Sequence, residues 1–145
     1  VEVHVLGDLD RVDEATRSAV RSIVEETRGG NALRLNLMIS YGGREEIVRA
    51  ARVLARRVRS GQLDLEDLDK DTFAELLFTR EVPDPDLLVR TSGENRISNF
   101  MLWQLAYTEL HVTSVLWPDF DRGDLFGAIL DYQGRERRFG KVTAQ

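Results

Sequence analysis

Cysteine is absent from this 145-residue chain, which excludes disulfides, thiolate metal sites and cysteine nucleophiles. Lysine is nearly absent as well: Lys70 and Lys141 stand against eighteen arginines, so an arginine taken singly says little about a site. Histidine occurs twice, and neither His4 nor His111 has the sequence neighbours of a zinc site or a nucleophilic triad. No apolar run approaches the roughly 18 residues of a membrane-spanning helix, and no signal peptide is visible, so the expected location is the cytoplasm. The formal net charge of −5 leaves no basic excess for nucleic acid, and none is expected as a partner.

What remains is the balance of a soluble globular protein, with 42% hydrophobic and 31% charged residues. The length is that of one ordinary domain, and the expected organisation is a single domain over residues 1–145. Residue 1 is Val rather than Met, and Val1–Leu6 already reads as a buried strand. The expectation is a piece of something longer.

Apolar residues at helical spacing predict helices over Val12–Thr27 and Arg44–Ser60, with shorter ones near Lys70–Phe78 and Asp121–Arg135. The last is expected to turn Leu125, Phe126, Ile129 and Leu130 inward. Leu33–Ile39 is too short and too apolar for a helix, so it reads as a central strand buried on both faces. Leu87–Val89 and Val112–Leu116 read as further strands, and the apolar stretch Ser98–Thr108 between them reads as a helix. Strands alternating with helices predict an α/β fold with a mostly parallel sheet flanked by helices. Such sheets bind ligands at the carboxyl ends of their strands, which directs attention to the loops after Leu6, Ile39 and Val89.

The segment Arg90-Thr91-Ser92-Gly93-Glu94-Asn95-Arg96-Ile97-Ser98-Asn99 is the richest of these loops. Two arginines and several hydroxyls lie just before the expected helix, which Ser98 or Asn99 would cap. That combination suits a phosphate or diphosphate; surface arginines in ion pairs are the alternative. Glu109 follows at the expected helix end. It could hold Mg²⁺, which prefers oxygen ligands and substrate phosphates, or simply face solvent. Tyr41-Gly42-Gly43-Arg44 reads as a strand-to-helix turn requiring positive φ; it is no Walker loop. The pairs Asp84/Asp86 and Asp119/Asp121 read as turn and cap residues. Arg135-Glu136-Arg137-Arg138 reads as a helix end favoured by the helix dipole, with a phosphate as the other use.

Several ordered motifs resemble those of the cis-prenyltransferase family, which includes bacterial undecaprenyl diphosphate synthase. They are Tyr41-Gly42-Gly43-Arg44, Asp86-Leu87-Leu88-Val89-Arg90-Thr91-Ser92-Gly93-Glu94 and Arg96-Ile97-Ser98-Asn99-Phe100-Met101-Leu102-Trp103-Gln104. Ala106-Tyr107-Thr108-Glu109-Leu110, Leu116-Trp117-Pro118-Asp119-Phe120 and Arg135-Glu136-Arg137-Arg138-Phe139-Gly140 complete the set. The resemblance runs over essentially the whole chain.

It implies a parallel-sheet homodimer that uses Mg²⁺ to condense isopentenyl diphosphate with an allylic diphosphate such as farnesyl diphosphate. The product is a cis-polyprenyl diphosphate, a precursor of cell-wall lipid carriers and a candidate for peripheral contact with a membrane. Arg90, Arg96 and Ser98 match the positions that grip isopentenyl diphosphate, with Ile97 between them. Glu109 matches a magnesium ligand. Arg138 and Gly140 match an R-x-G element that reaches the partner subunit's site. The family's catalytic aspartate lies in an Asp-Gly-Asn-Arg-Arg-Trp stretch. That stretch, and a Ser-x-Glu-Asn segment, have no counterpart in these 145 residues. The resemblance therefore implies the C-terminal part of the family domain, without a catalytic residue of its own and inactive alone. A non-catalytic accessory subunit of a heteromeric enzyme is the alternative, against which the retained Arg90, Arg96, Ser98 and Glu109 argue. An unrelated phosphate-binding α/β module is the third.

Overall fold

A computed structural model describes residues 1–135, and the expectations for Arg138 and Gly140 lie outside the described residues. The architecture is α/β, with every strand paired in parallel. Two compact units divide between Pro83 and Asp84.

The first unit opens with a β-α-β crossover. Strand β1 (Glu2–Leu6) leads through helix α1 (Glu14–Glu26) to strand β2 (Arg34–Met38), in register from Glu2↔Arg34 to Leu6↔Met38. Asp13 starts α1 as its N-cap, its carboxylate accepting the Thr16 N–H at 2.8 Å. Gly7 leaves β1 at φ +132°, where an added Cβ would lie 2.0 Å from the Ile39 carbonyl oxygen, so only glycine fits. The crossover accounts for the parallel pairing. It does not bury β2 on both faces, as the apolar run predicts: Leu35 and Leu37 are 43% and 37% exposed.

Helix α2 (Gly43–Arg59) packs Ala50 and Leu54 against Leu76 and Leu77, forming this unit's core. Glu46, one helical turn before Ala50, is 1% exposed. Its carboxylate accepts the Tyr41 hydroxyl and the Phe78 N–H, each at 2.6 Å. The glycine turn is thus tied structurally through Tyr41. Gly42 is extended at φ −152°, so the expected positive φ is not there; it falls at Ser40, φ 50°. Helix α3 (Lys70–Ala74) stops short of the predicted Phe78, because the next residues turn to bury Leu76 and Leu77 and to present Phe78 N–H to Glu46.

In the second unit, strand β3 (Leu87–Arg90) pairs with strand β4 (Glu109–Val112), from Leu87↔Glu109 to Arg90↔Val112. Helix α4 (Arg122–Gln133) follows, closed at its start by a capping box between Asp121 and Asp124. Three expectations fail in this unit. Residues 98–108 form turns and a short 3₁₀ segment (Gln104–Tyr107) rather than a helix, because Ser98, Asn99 and Met101 sit at positive φ, which breaks a helical path. The last strand accordingly begins at Glu109, not Val112. The apolar residues of α4 also divide differently: Ala128 is its buried residue, while Leu125, Phe126 and Leu130 are 41%, 55% and 67% exposed.

Candidate functional site

Strand β3 delivers Arg90 to its carboxyl end, and the chain turns back over the end of β4. The Ser92 N–H donates to the Val115 carbonyl and the Gly93 N–H to the Thr113 carbonyl, both at 2.8 Å. Left-handed backbone is concentrated here, with Ser92, Ser98, Asn99 and Met101 at φ 63°, 51°, 62° and 45°. For residues with a Cβ this costs about 1–2 kcal/mol each. Strain of this kind persists where surrounding contacts fix a loop in one shape, and it clusters at binding sites.

The shaped loop brings Arg90 and Ser98 together, with the guanidinium Nη2 3.5 Å from the Ser98 hydroxyl. Its Nε is buried and has no hydrogen-bond partner among the described residues. An orphaned donor on a charged group is costly unless a ligand completes it. Arg96 stands differently: its side chain is 74% exposed and pairs with Glu94 at 2.6 Å. An exposed pair of this type is worth about 0–1 kcal/mol, so Arg96 can exchange it for a diphosphate at little cost. Ile97 is half-buried and its carbonyl accepts the Phe100 N–H at 3.0 Å. Ser98 and Asn99 are not helix caps; they are turn residues that face the chain back toward Arg90.

Glu109 is placed elsewhere. As the first residue of β4 it sits three rows from Arg90↔Val112, about 10 Å along the strands. Side chains alternate along a strand, so Arg90 and Glu109 also point to opposite faces of the pair. Arg90 and Glu109 of one chain are therefore not brought together.

Instead Glu109 begins a network that sequence reasoning missed. Its Oε2 accepts from Arg135 Nη1 at 2.9 Å, and the same nitrogen donates to the Leu110 carbonyl at 2.9 Å. Arg135 Nη2 donates to Asp131 Oδ2 at 2.6 Å, and His111 Nδ1 lies 2.8 Å from that same oxygen. His111 and Asp131 hydrogen-bond, which with Arg135 holds the Asp131 carboxyl below its ordinary range. Glu109 first, then Asp131, raises the Arg135 guanidinium above its own. The signal was available in Glu109-Leu110-His111-Val112, since period-two alternation puts Glu109 and His111 on one face.

No group of three or more histidine, aspartate or glutamate side chains that could hold a metal occurs among the described residues. Mg²⁺ does not need one, because it commonly takes one or two carboxylates and fills its shell with water and phosphate oxygens. The half-buried Glu109 carboxylate fits that requirement as a single hard oxygen donor.

Residues 1–140 match the family model described as putative undecaprenyl diphosphate synthase. An isoprenyl transferase of Prochlorococcus marinus is 53% identical over 98% of this chain and 53% of its own length. That of Geobacter sulfurreducens is 48% identical over the whole chain and 59% of its own. Among solved structures, lavandulyl diphosphate synthase from Lavandula x intermedia, in complex with dimethylallyl diphosphate, superposes with a TM-score of 0.93. It is 39% identical, over 97% of this chain and 60% of its own. A probable undecaprenyl diphosphate synthase from Campylobacter jejuni gives 0.81 at 34% identity, over 97% of this chain and 63% of its own. The chain thus spans somewhat more than half the length of these relatives.

Proposed function

The chain belongs to the undecaprenyl diphosphate synthase family, and from that premise we propose that it supplies the isopentenyl diphosphate-binding part of a cis-prenyltransferase. The observation that carries the reading is the Arg90 loop: a strained segment that brings a half-buried guanidinium, whose buried Nε has no hydrogen-bond partner among the described residues, to a hydroxyl. Arg90 and Ser98 would hold one phosphate from within the fold. Arg96 would leave Glu94 and close from the solvent side, and Ile97 between them would line the apolar part of the substrate. Arg138 and Gly140 would reach the diphosphate site of a partner subunit, as the family motif implies.

In the reaction a carbon–carbon bond forms between the isopentenyl double bond and the allylic C1. The allylic C–O bond breaks, diphosphate leaves, and a proton is lost from the isopentenyl unit. Farnesyl diphosphate is the proposed allylic partner, and the product a cis-polyprenyl diphosphate. The loop contributes orientation, fixing the diphosphate so that the double bond meets the allylic carbon, and positive charge against the phosphates. Mg²⁺, when bound, supplies charge stabilisation at the departing diphosphate. Glu109 would be its protein ligand in this chain. Because Glu109 lies on the other face and at the other end of the strand pair from Arg90, it would serve the loop of a second copy, in a homodimer.

The test is incorporation of labelled isopentenyl diphosphate into farnesyl diphosphate with Mg²⁺, using the full-length encoded protein. Incorporation is expected, and Arg96→Ala should raise the KM for isopentenyl diphosphate on the order of tenfold to a hundredfold. An unchanged KM would overturn the assignment of the loop.

A further inference from the structure

The network behind Glu109 does more than connect α4 to β4. Four side chains meet there, one from each of Glu109, His111, Asp131 and Arg135, with contacts between 2.6 and 2.9 Å. Arg135 stands between two carboxylates, and its fork gives Nη1 to Glu109 and Nη2 to Asp131. Had Glu109 been its only partner, the guanidinium would cancel the negative charge on the oxygen that a divalent cation needs. With Asp131 present, the three charged groups sum to minus one and Arg135 is satisfied from the far side. His111 fixes the other end. Its Nδ1 meets the same Asp131 Oδ2 that Arg135 uses, so the carboxylate cannot turn away from Arg135 without losing both partners.

We propose that Asp131 is a positioning residue which, by sharing Arg135, keeps the Glu109 carboxylate available to a divalent cation. The proposal rests on Glu109 as the cation ligand. It concerns a residue outside every motif that carries the family resemblance, and on α4 rather than on the strand that bears the ligand. Asp131 is 45% exposed in its side chain and makes no contribution to a core, so its place in the fold is explained by Arg135 and His111 alone.

Charge arithmetic gives a test that a merely structural role would not satisfy. Asp131→Asn leaves Arg135 with one charged partner and brings the local sum to zero, so cation affinity falls. Asp131→Asn combined with Arg135→Gln returns the sum to minus one, so affinity recovers although a further side chain has been removed. Asp131→Glu keeps the charge and should remain near the starting value.

The experiment titrates Mn²⁺ with inorganic diphosphate present, reading free Mn²⁺ by electron paramagnetic resonance on the full-length protein and these variants, with Glu109→Gln alongside. Removal of an outer partner of a metal ligand typically weakens affinity by about tenfold or more. A loss of that size in Asp131→Asn, regained in the double variant, is the expected result. A loss that the double variant does not regain would overturn the proposal, as would no loss in Asp131→Asn while Glu109→Gln binds weakly. Unchanged binding in Glu109→Gln would instead remove Glu109 as the ligand, and the proposal with it.

Discussion

Two charged groups that take polar atoms out of water, one in each unit, are treated in opposite ways. Glu46 in the first unit is 1% exposed and takes two short hydrogen bonds, from a hydroxyl and a backbone N–H. Arg90 in the second has a buried Nε without a partner among the described residues, beside a loop of left-handed residues. A satisfied buried charge fixes local structure, here the glycine turn against the segment after α3. An unsatisfied one, held in place by a strained loop, is shaped for something that arrives from outside.

The sharpest way to break this comparison is to remove each charge. Glu46→Ala removes the carboxylate that accepts from the half-buried Tyr41 hydroxyl and Phe78 N–H, and should cost about 3 kcal/mol of stability in chemical denaturation. Arg90→Ala should leave stability within about 0.5 kcal/mol and instead abolish most affinity for isopentenyl diphosphate, read by calorimetric titration. Loss of fold in Arg90→Ala would show that the two charges do the same work. The placement of Glu109 is tested by mixing: Arg96→Ala and Glu109→Gln chains, each impaired when isopentenyl diphosphate is limiting, should regain about a quarter of wild-type activity under that condition after subunit exchange if the two residues act across a dimer. No recovery would place them in one chain's site. Smaller is the effect of Asn99→Gly, which removes the left-handed penalty and should raise stability by about 1 kcal/mol. Unchanged stability would mean that the loop stores no strain there.

The smallest effect concerns acid. The Asp13 and Asp69 carboxyls are held below their ordinary range, first by the backbone N–H groups of Thr16 and Thr72 and then by the hydroxyls of the same residues. A lowered folded-state pKa gives stability that is present above the ordinary carboxylate range, near pH 4, and lost as pH falls through the lowered value. Asp13→Asn should therefore flatten the fall of the unfolding midpoint as pH drops below about 4; an unaltered slope would exclude Asp13 as a contributor.

Much of this was legible in the residues, and the exceptions share a cause. Helices α1 and α2 and strands β1 and β3 follow from apolar spacing and from turn residues such as Gly7. The stretch from Ser98 to Thr108 does not, because Phe100, Met101, Leu102 and Trp103 satisfy a helical pattern while three left-handed residues forbid the helix. Composition cannot reveal a positive φ at serine, asparagine or methionine, since tertiary contacts impose it. That single misreading displaced the start of β4 and hid the shared face of Glu109 and His111. The approach of Arg90 to Ser98 was within reach of the sequence because both lie in one short loop. The Arg135 network was not, because its contacts to Glu109 and between His111 and Asp131 join residues 26 and 20 positions apart.

Alternation along β4 makes the length of the preceding segment a heritable quantity. Glu109 and His111 face one side while Leu110 and Val112 face the other, and the strand enters the pair at a register fixed by Leu87. Removing one residue between Arg90 and Glu109 would, if the pairing held, exchange the two sets and present leucine and valine to Arg135. Substitution in the 99–108 segment is therefore a graded change, whereas a single-residue deletion is a reversal of sidedness. Descendants of this gene should vary there in letters far more freely than in number.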